Sequence, residues 1–334
     1  MADGRDDSTE HEEFIDRCVD DAASSSAFVV PRERVHEILA RASHLDANAV
    51  LLLLARRAAA HARPPTSRFH VGAAARGVDG DVYLGVNVEV QGVPLNHSIH
   101  AEQFALVNAM ACGARAIEAI ATTEAPCGHC RQFMNEMRHA DGLTVCTRQW
   151  RLPLSELLPH SFGPMDLISD GALLLEDQGG WGVAWERELV SLAYADGAEL
   201  EDAVPHGAAQ DVVGADERWR SLAAAAYGAM DKAYAPYSHS RASIAVRTIC
   251  GEEFTGWSLE CAAYNPSMSP LQVVISRMVA KGKDLSSIER VLLTEFEDAP
   301  VKYDCTVRLT MAKIAPKAKI LVLNYHRRVV AAST

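Results

Sequence analysis

The chain has 334 residues, enough for about two domains with their own cores. Hydrophobic residues make up 49% and charged residues 23%, an ordinary globular balance. A formal net charge of −12, with no Lys/Arg block interleaved with aromatics, argues against a nucleic-acid polymer as substrate and favours a small, uncharged ligand. No apolar run reaches the roughly 20 residues that span a bilayer, so no membrane partner is expected. The stretch MADGRDDSTEHEEFIDRCVDD lacks the apolar core of a secretory signal. Eight scattered cysteines do not form a disulfide framework, which points to a reduced, cytoplasmic location.

In chain order, the first twenty-odd residues are charged and Ser-bearing and are expected to form a loose acidic tail. Apolar residues then recur at helical spacing in PRERVHEILARASHLDANAVLLLLARRAAAHA, with Pro31 placed to start a helix and Pro64-Pro65 to end one. RFHVGAAA (68–75) and DVYLGVNV (81–88) read as strands joined by a turn at Asp79-Gly80. HAEQFALVNAMACG (100–113) reads as a helix, IEAIATTE (117–124) as a buried strand, CGHCRQFMNEMRH as a helix and LTVCT (143–147) as a strand. Such alternation predicts a layered α/β domain with a largely internal sheet. From about Gly163 to Asp216 the chain is rich in Gly, Ala and Asp and reads as a connector, with some helix in WERELVSLAYA (185–195).

The remainder carries a weak internal repeat. Pro65, Ser67, Gly80, Gly85 and Glu89 match Pro236, Ser238, Gly251, Gly256 and Glu260, all at an offset of 171 (236 − 65). Five matches at one register argue for shared ancestry. With the register slid by two, Ser269 falls opposite His100 and Leu271 opposite Glu102, and no P-C-x-x-C follows, so the second copy is expected to be a scaffold without the chemistry. Its expected role is packing or dimer formation.

The chemistry concentrates around Cys127 and Cys130. C-x-x-C spacing at a helix start lets both sulfurs face one ion, and His100 supplies a third soft or borderline donor, a set suited to zinc. Glu102, two positions past His100, could lean over an open coordination position and move a proton to or from a zinc-activated water. Two thiolates and a neutral imidazole cancel the charge of Zn²⁺. The helix N-terminus near Pro126 is expected to offset this, and so is Arg131 where it donates to a sulfur, its alternative reading being an exposed helix charge. A redox dithiol remains an alternative reading of C-G-H-C, and it predicts activity that survives chelation. His129 is expected to point away from the metal and His97 to be an ordinary loop residue. Cys112 and Cys146 are expected to be buried structural thiols.

H-A-E followed by P-C-G-H-C resembles the zinc-dependent cytidine deaminases. The segments SRFHVGAAARG, GVNVEVQG, HSIHAEQFA, APCGHCRQFMNE and LPHSFGPMDL are all similar to segments of the large, two-copy homodimeric type, across roughly residues 45 to 325. The resemblance implies a three-layer α/β/α sandwich around a mixed sheet, present as two copies. It places an acidic tail and helical segment at 1–48, a catalytic zinc domain at 49–168, a connector at 169–215 and a degenerate domain at 216–334. It further implies one Zn²⁺ per subunit held by His100, Cys127 and Cys130, with Glu102 as the proton shuttle. Asn87 and Glu89 would hold the ribose 3′-hydroxyl, Phe69 would stack on the base, the Ala101 N–H would meet the pyrimidine carbonyl, and Phe162 would be a further pocket aromatic. Thr66 departs from the family's Tyr, which the second copy keeps in APYS. The implied activity is hydrolysis of cytidine and deoxycytidine in pyrimidine salvage. A deaminase of another nucleoside or nucleotide, or a non-catalytic zinc-stabilised interaction subunit, is the alternative.

Overall fold

The computed structural model describes residues 7–24, 28–179, 189–194 and 216–325. They divide into two compact units, one built mainly from residues up to Asp166 and one mainly from Asp177 onward.

The first unit is organised on a six-stranded mixed sheet in the order β1-β3-β2-β4-β5-β6. Its strands are β1 (Val29–Val30), β2 (Gly72–Gly77), β3 (Val82–Val86), β4 (Ile117–Thr122), β5 (Thr144–Cys146) and β6 (Arg151–Pro153). Only β4 and β5 run parallel; the other neighbours are antiparallel. Gly80, at φ +89°, makes the β2–β3 turn. Two helices, α3 (Ala47–Ala58) and α4 (Ala101–Cys112), pack on the sheet. A side chain at Gly72 would run into the backbone of α3, and one at Gly85 into that of α4. Gly85 pairs with Ala73 rather than Gly72, so the two helices cover opposite faces. With a helix on each face, β3 is buried without interruption over Val82–Val86 and β2 over Gly72–Ala75, Arg76 alone being partly exposed.

The N-terminal expectation is corrected. Asp7–Ser24 is an α-helix, α1, rather than a loose tail. Phe14, Ile15, Cys18, Val19 and Ala22 fall on one stripe and are buried, the apolar face of an amphipathic helix whose other residues are mostly charged or polar. Arg41 lies 4.1 Å over the Phe14 ring, and Asp16 meets Arg57 at 2.6 Å. Residues 1–6 lie outside the described residues. The long helical stretch that follows is split into α2 (Arg32–Arg41) and α3, because Asp46 caps a fresh start by accepting from the Ala49 N–H at 2.8 Å. The helix at Cys127 is α5 (Gly128–Met134); α6 (Leu154–Leu157) and α7 (Pro164–Leu167) are single turns.

The second unit holds a five-stranded mixed sheet in the order β7-β11-β10-β8-β9. These are β7 (Leu189–Tyr194), β8 (Ser243–Thr248), β9 (Glu253–Trp257), β10 (Ile288–Phe296) and β11 (Lys319–Tyr325), with α8 (Glu217–Met230), α9 (Pro270–Ala280) and α10 (Asp304–Ile314). Here too the expectation needs correcting: Leu189–Tyr194 is an edge strand paired antiparallel with β11, not helix. An apolar run interrupted only by Ser191 finds a strand edge to pair with, and tertiary pairing decides the conformation. The rest of WERELVSLAYA lies outside the described residues.

Local geometry recurs between the units at the offset of 171. β2 and β8 match end to end, as do β3 and β9. Gly251 repeats the φ of Gly80 at +89°, and His239 (φ +54°) repeats the left-handed backbone of Arg68 (φ +58°). Val88 bridges Ile99 as Leu259 bridges Met268, which sets Ser269 where the first unit has His100.

Gly85 generates a prediction. A Cβ there would lie 2.2 Å from the Ala101 carbonyl oxygen and 2.4 Å from the Ala105 nitrogen, both backbone atoms that cannot swing aside. Gly85→Ala should therefore destabilise the fold by roughly 1–3 kcal/mol or more and displace the start of α4. Thermal unfolding measures it; an unchanged midpoint would show that α4 does not rest on the sheet at this point.

Candidate active site

Two helix starts bring the donors together. His100 is the N-cap of α4, in extended conformation, with its N–H donated to the Gln103 side-chain oxygen at 3.4 Å. Cys127 is the N-cap of α5 and buried Cys130 sits in its first turn. His100 Nδ1 lies 3.5 Å from Cys127 Sγ and 3.3 Å from Cys130 Sγ, and the two sulfurs are 3.7 Å apart. This is the one group of three or more His, Cys, Asp or Glu donors among the described residues whose ligand atoms all fall within 4.8 Å of one another. Two sulfurs and an imidazole nitrogen, with no fourth protein donor in the group, fit zinc with a position left open. Without a metal the three share protons. Cys127 is pushed down to about 3 by hydrogen bonds from Cys130 and His100, Cys130 is raised well above the usual thiol range, and His100 is raised by its bond to Cys127.

Glu102 stands in the first turn of α4 and is buried. Burial lifts its carboxyl above the ordinary carboxylate range, opposed by a backbone hydrogen bond and by His100, and its side chain reaches Cys130. His129 stacks on the His100 ring with centroids 4.9 Å apart and planes at 22°, and it is not one of the clustered donors. Arg131 does not donate to a sulfur. Its Nε and Nη1 donate to the carbonyls of Pro126 and Leu157, each at 2.8 Å, because the guanidinium fork finds two fixed backbone acceptors in reach.

Beside the cluster is a hollow of about 390 Å³ lined by Phe69, Asn87, Glu89, His100, Ala101, Glu102 and Cys127, among others. The sequence-derived candidates thus converge, with one exception. The Phe162 ring is half exposed and not part of this lining, while its carbonyl accepts from Gln132 and, at 3.5 Å, from Asn135. Ser67, Leu95, Ser98 and Glu124 also line the hollow and were not anticipated. Of these only Ser67 left a signal, its place in the internal repeat.

Asn87 and Glu89 are held before any ligand arrives. Asn87 Oδ1 accepts from the Val71 N–H at 2.9 Å, and its Nδ2 donates to the Phe69 carbonyl at 2.8 Å. Glu89 Oε2 accepts from the N–H groups of Thr66 and Ser67, both at 2.9 Å, and Oε1 from the Ser67 hydroxyl at 2.5 Å. Each keeps hydrogen-bonding capacity: one amide hydrogen on Asn87 and a lone pair on Glu89 Oε1. Burial would raise the Glu89 carboxyl, but the Ser67 and Thr66 donors outweigh it and hold it below its usual range. Cys146 is buried as expected, whereas Cys112, near the open end of α4, is exposed.

Residues 46–146 and 154–308 each match a family model described as a cytidine and deoxycytidylate deaminase zinc-binding region. A protein named cytidine deaminase from Shewanella loihica is 38% identical over 258 residues, covering 77% of this chain and 76% of its own length. Cytidine deaminase 6 of Arabidopsis thaliana is 36% identical over 282 residues, covering 80% of this chain and 88% of its own. A crystal structure of cytidine deaminase from Burkholderia pseudomallei is 35% identical, covers 34% of this chain and 96% of its own, and has a TM-score of 0.31. With likeness of this degree running through both matched regions, the chain belongs to the cytidine deaminase family.

Proposed function

We propose that the chain hydrolyses cytidine and deoxycytidine to uridine and deoxyuridine with release of ammonia, as a step of pyrimidine salvage. The observation that carries this reading is a buried carboxylate, Glu102, beside a three-membered sulfur and nitrogen donor set that opens on a nucleoside-sized hollow. His100, Cys127 and Cys130 would hold one Zn²⁺, which when bound supplies the Lewis acidity that makes a water nucleophilic near neutral pH. Glu102 accepts the proton that the attacking water loses. It passes that proton to N3 of the pyrimidine, then takes the remaining proton from the new C4 hydroxyl and delivers it to the amino group, so that the C4–N bond breaks, ammonia leaves and the C4 carbonyl forms. Its burial favours this shuttling, since a carboxyl lifted toward neutral pH both takes and returns protons readily. The Ala101 N–H, in the first turn where helix donors lack intrahelical partners, meets the pyrimidine carbonyl. Phe69 stacks on the base, and Asn87 and Glu89 direct their remaining capacity at the ribose 3′-hydroxyl. Phe162 belongs to the pocket only if the Phe162 loop turns its ring inward.

Charge separates this reading from a nucleotide deaminase. Among the described residues, Glu89, Glu102 and Glu124 line the hollow and no Lys or Arg does, so a 5′-phosphate would meet no counter-charge from them. The second unit fits a degenerate copy of the same three-layer fold. It keeps the Glu260 clamp, with Glu260 accepting from the N–H groups of Tyr237 and Ser238 at 2.9 and 3.0 Å, but has Ser269 and Leu271 where the first unit has His100 and Glu102. The domain boundaries proposed are 49–168 for the catalytic copy, 169–215 for a connector that contributes β7, and 216–334 for the degenerate one. A homodimer is the proposed assembly, consistent with exposed Phe69, Leu95 and Phe162 near the site. A cytoplasmic setting accords with eight free cysteines, and no helix among the described residues is long and apolar enough to cross a membrane.

Glu102→Ala should lower kcat for cytidine by about 10²–10⁴-fold or more while zinc content stays near one per chain. The ultraviolet change as cytidine is consumed, with metal quantification on the same sample, measures both; loss of zinc in the variant would reassign Glu102 to metal binding. A second prediction concerns pH. Because the folded Glu89 carboxyl is depressed, its stabilising contribution is present above the unfolded pKa and is lost as pH falls through the folded one. Glu89→Gln should therefore be less stable than the parent at neutral pH, with the gap closing below the ordinary carboxylate range. Denaturant titrations at a series of pH values test this, and a pH-independent gap would contradict it.

A further inference from the structure

Arg131 touches Cys127 from both sides. Its backbone N–H donates to the Cys127 carbonyl at 3.0 Å, the first hydrogen bond of α5. Its side chain folds back so that Nε donates to the Pro126 carbonyl at 2.8 Å, while Nη1 donates to the Leu157 carbonyl at the end of α6, also at 2.8 Å. Proline has a fixed φ, so once the Pro126 carbonyl is pinned the peptide entering Cys127 has little freedom left. Cys127 needs this more than Cys130 does. Cys130 is buried inside the helix, whereas Cys127 is an exposed N-cap at φ −69° and ψ 168°, outside the regular ladder.

We propose that Arg131 is a positioning residue that fixes the Cys127 sulfur for metal binding by splinting the Pro126–Cys127 peptide to the segment after β6. The inference rests on the reading of His100, Cys127 and Cys130 as zinc ligands. A guanidinium suits the task because its planar fork offers several donors in fixed directions, and one rigid group can bind two carbonyls on separate segments. An ammonium on a flexible stem would satisfy one acceptor and leave the other free. Gln132 and Asn135, on the same helix, both donate to the Phe162 carbonyl, so α5 secures the loop from Leu157 to Phe162 at two points. Arg131 is the member of that set that also reaches the ligand loop. Its influence on the metal is therefore geometric, exerted through backbone, not through a hydrogen bond to sulfur.

The test is zinc competition against a chromophoric chelator, with the cobalt(II) absorption spectrum as the second readout, on the full chain and on Arg131→Met and Arg131→Lys. The methionine keeps the apolar stem and removes both hydrogen bonds. Zinc binding should weaken about 10–100-fold in Arg131→Met, with altered thiolate-to-cobalt bands, and Arg131→Lys should fall between it and the parent. Thermal midpoints of zinc-loaded and zinc-stripped protein separate positioning from general stability. A merely structural arginine would lower both midpoints together and leave the competition constant and the cobalt spectrum at parent values, and that result overturns the proposal. Should Arg131→Met fail to fold, parent-like affinity and spectrum in Arg131→Lys would overturn it equally. A parent chain that binds no zinc would instead refute the ligand assignment itself.

Discussion

The site depends on how closely α4 can approach the sheet. Gly85 on β3 leaves room for the Ala101 carbonyl to sit where a side chain would otherwise project. That contact fixes the first turn of α4, and the first turn carries His100 at its cap, Ala101 and Glu102. The sulfurs arrive independently, on a second helix start after β4, and the two starts meet with the imidazole nitrogen 3.3 and 3.5 Å from the two sulfurs. Helix N-termini serve this purpose well. Their cap residues stand in extended conformation outside the helical ladder, so a side chain at the cap projects toward a ligand instead of along the helix face. The same close approach recurs at Gly256, where a Cβ would meet the Pro270 carbonyl oxygen at 2.2 Å. The second unit thus has the same packing constraint without the same donors.

That recurrence separates what the scaffold needs from what the reaction needs. A glutamate accepting from two successive backbone N–H groups and a serine hydroxyl occurs in both units, at Glu89 and at Glu260. It is present in the second unit, where Ser269 and Leu271 stand in the positions of His100 and Glu102. Its first task is therefore to shape the turn around Ser67 or Ser238, which places a left-handed residue, Arg68 or His239, immediately after. In the first unit the same carboxylate has capacity to spare beside the hollow. On the proposed reading, substrate recognition is laid over a structural clamp, and the ligand would meet a carboxylate whose orientation is already fixed.

Most of the site could be read from the sequence because its signals are local. His-x-Glu and Cys-x-x-Cys place donors within one helical turn, and the spacing of apolar runs located β2 to β5, α4 and α5 to within a few residues. What escaped depended on contacts distant in sequence or on burial. α1 was hidden because its charged residues dominate the composition, although Phe14, Ile15, Cys18, Val19 and Ala22 recur on one face. Leu189–Tyr194 becomes strand only because β11, more than a hundred residues later, presents an edge. Glu124 lies beyond the end of β4, where neither periodicity nor motif says which way a side chain turns. Arg131 was read as a partner of sulfur because its carbonyl acceptors include Leu157, which no motif connects to it.

The correction at Arg131 bears on the electrostatics of the centre. Two thiolates and a neutral imidazole would cancel the charge of a divalent ion and blunt its acidity, so something must draw electron density from the sulfurs. The Cys127 side chain makes no cap hydrogen bond, but it stands at the N-terminus of α5, where the aligned peptide dipoles place partial positive charge beside the sulfur. With the guanidinium committed to the Pro126 and Leu157 carbonyls, that helix start takes the part that a side chain was expected to play. It costs no side-chain entropy and exists only when the helix start is correctly formed. On the proposal made for Arg131, the contribution of this residue to the charge balance is indirect: it binds the peptide before Cys127 and the carbonyl after it, and so holds the helix start beside the sulfur.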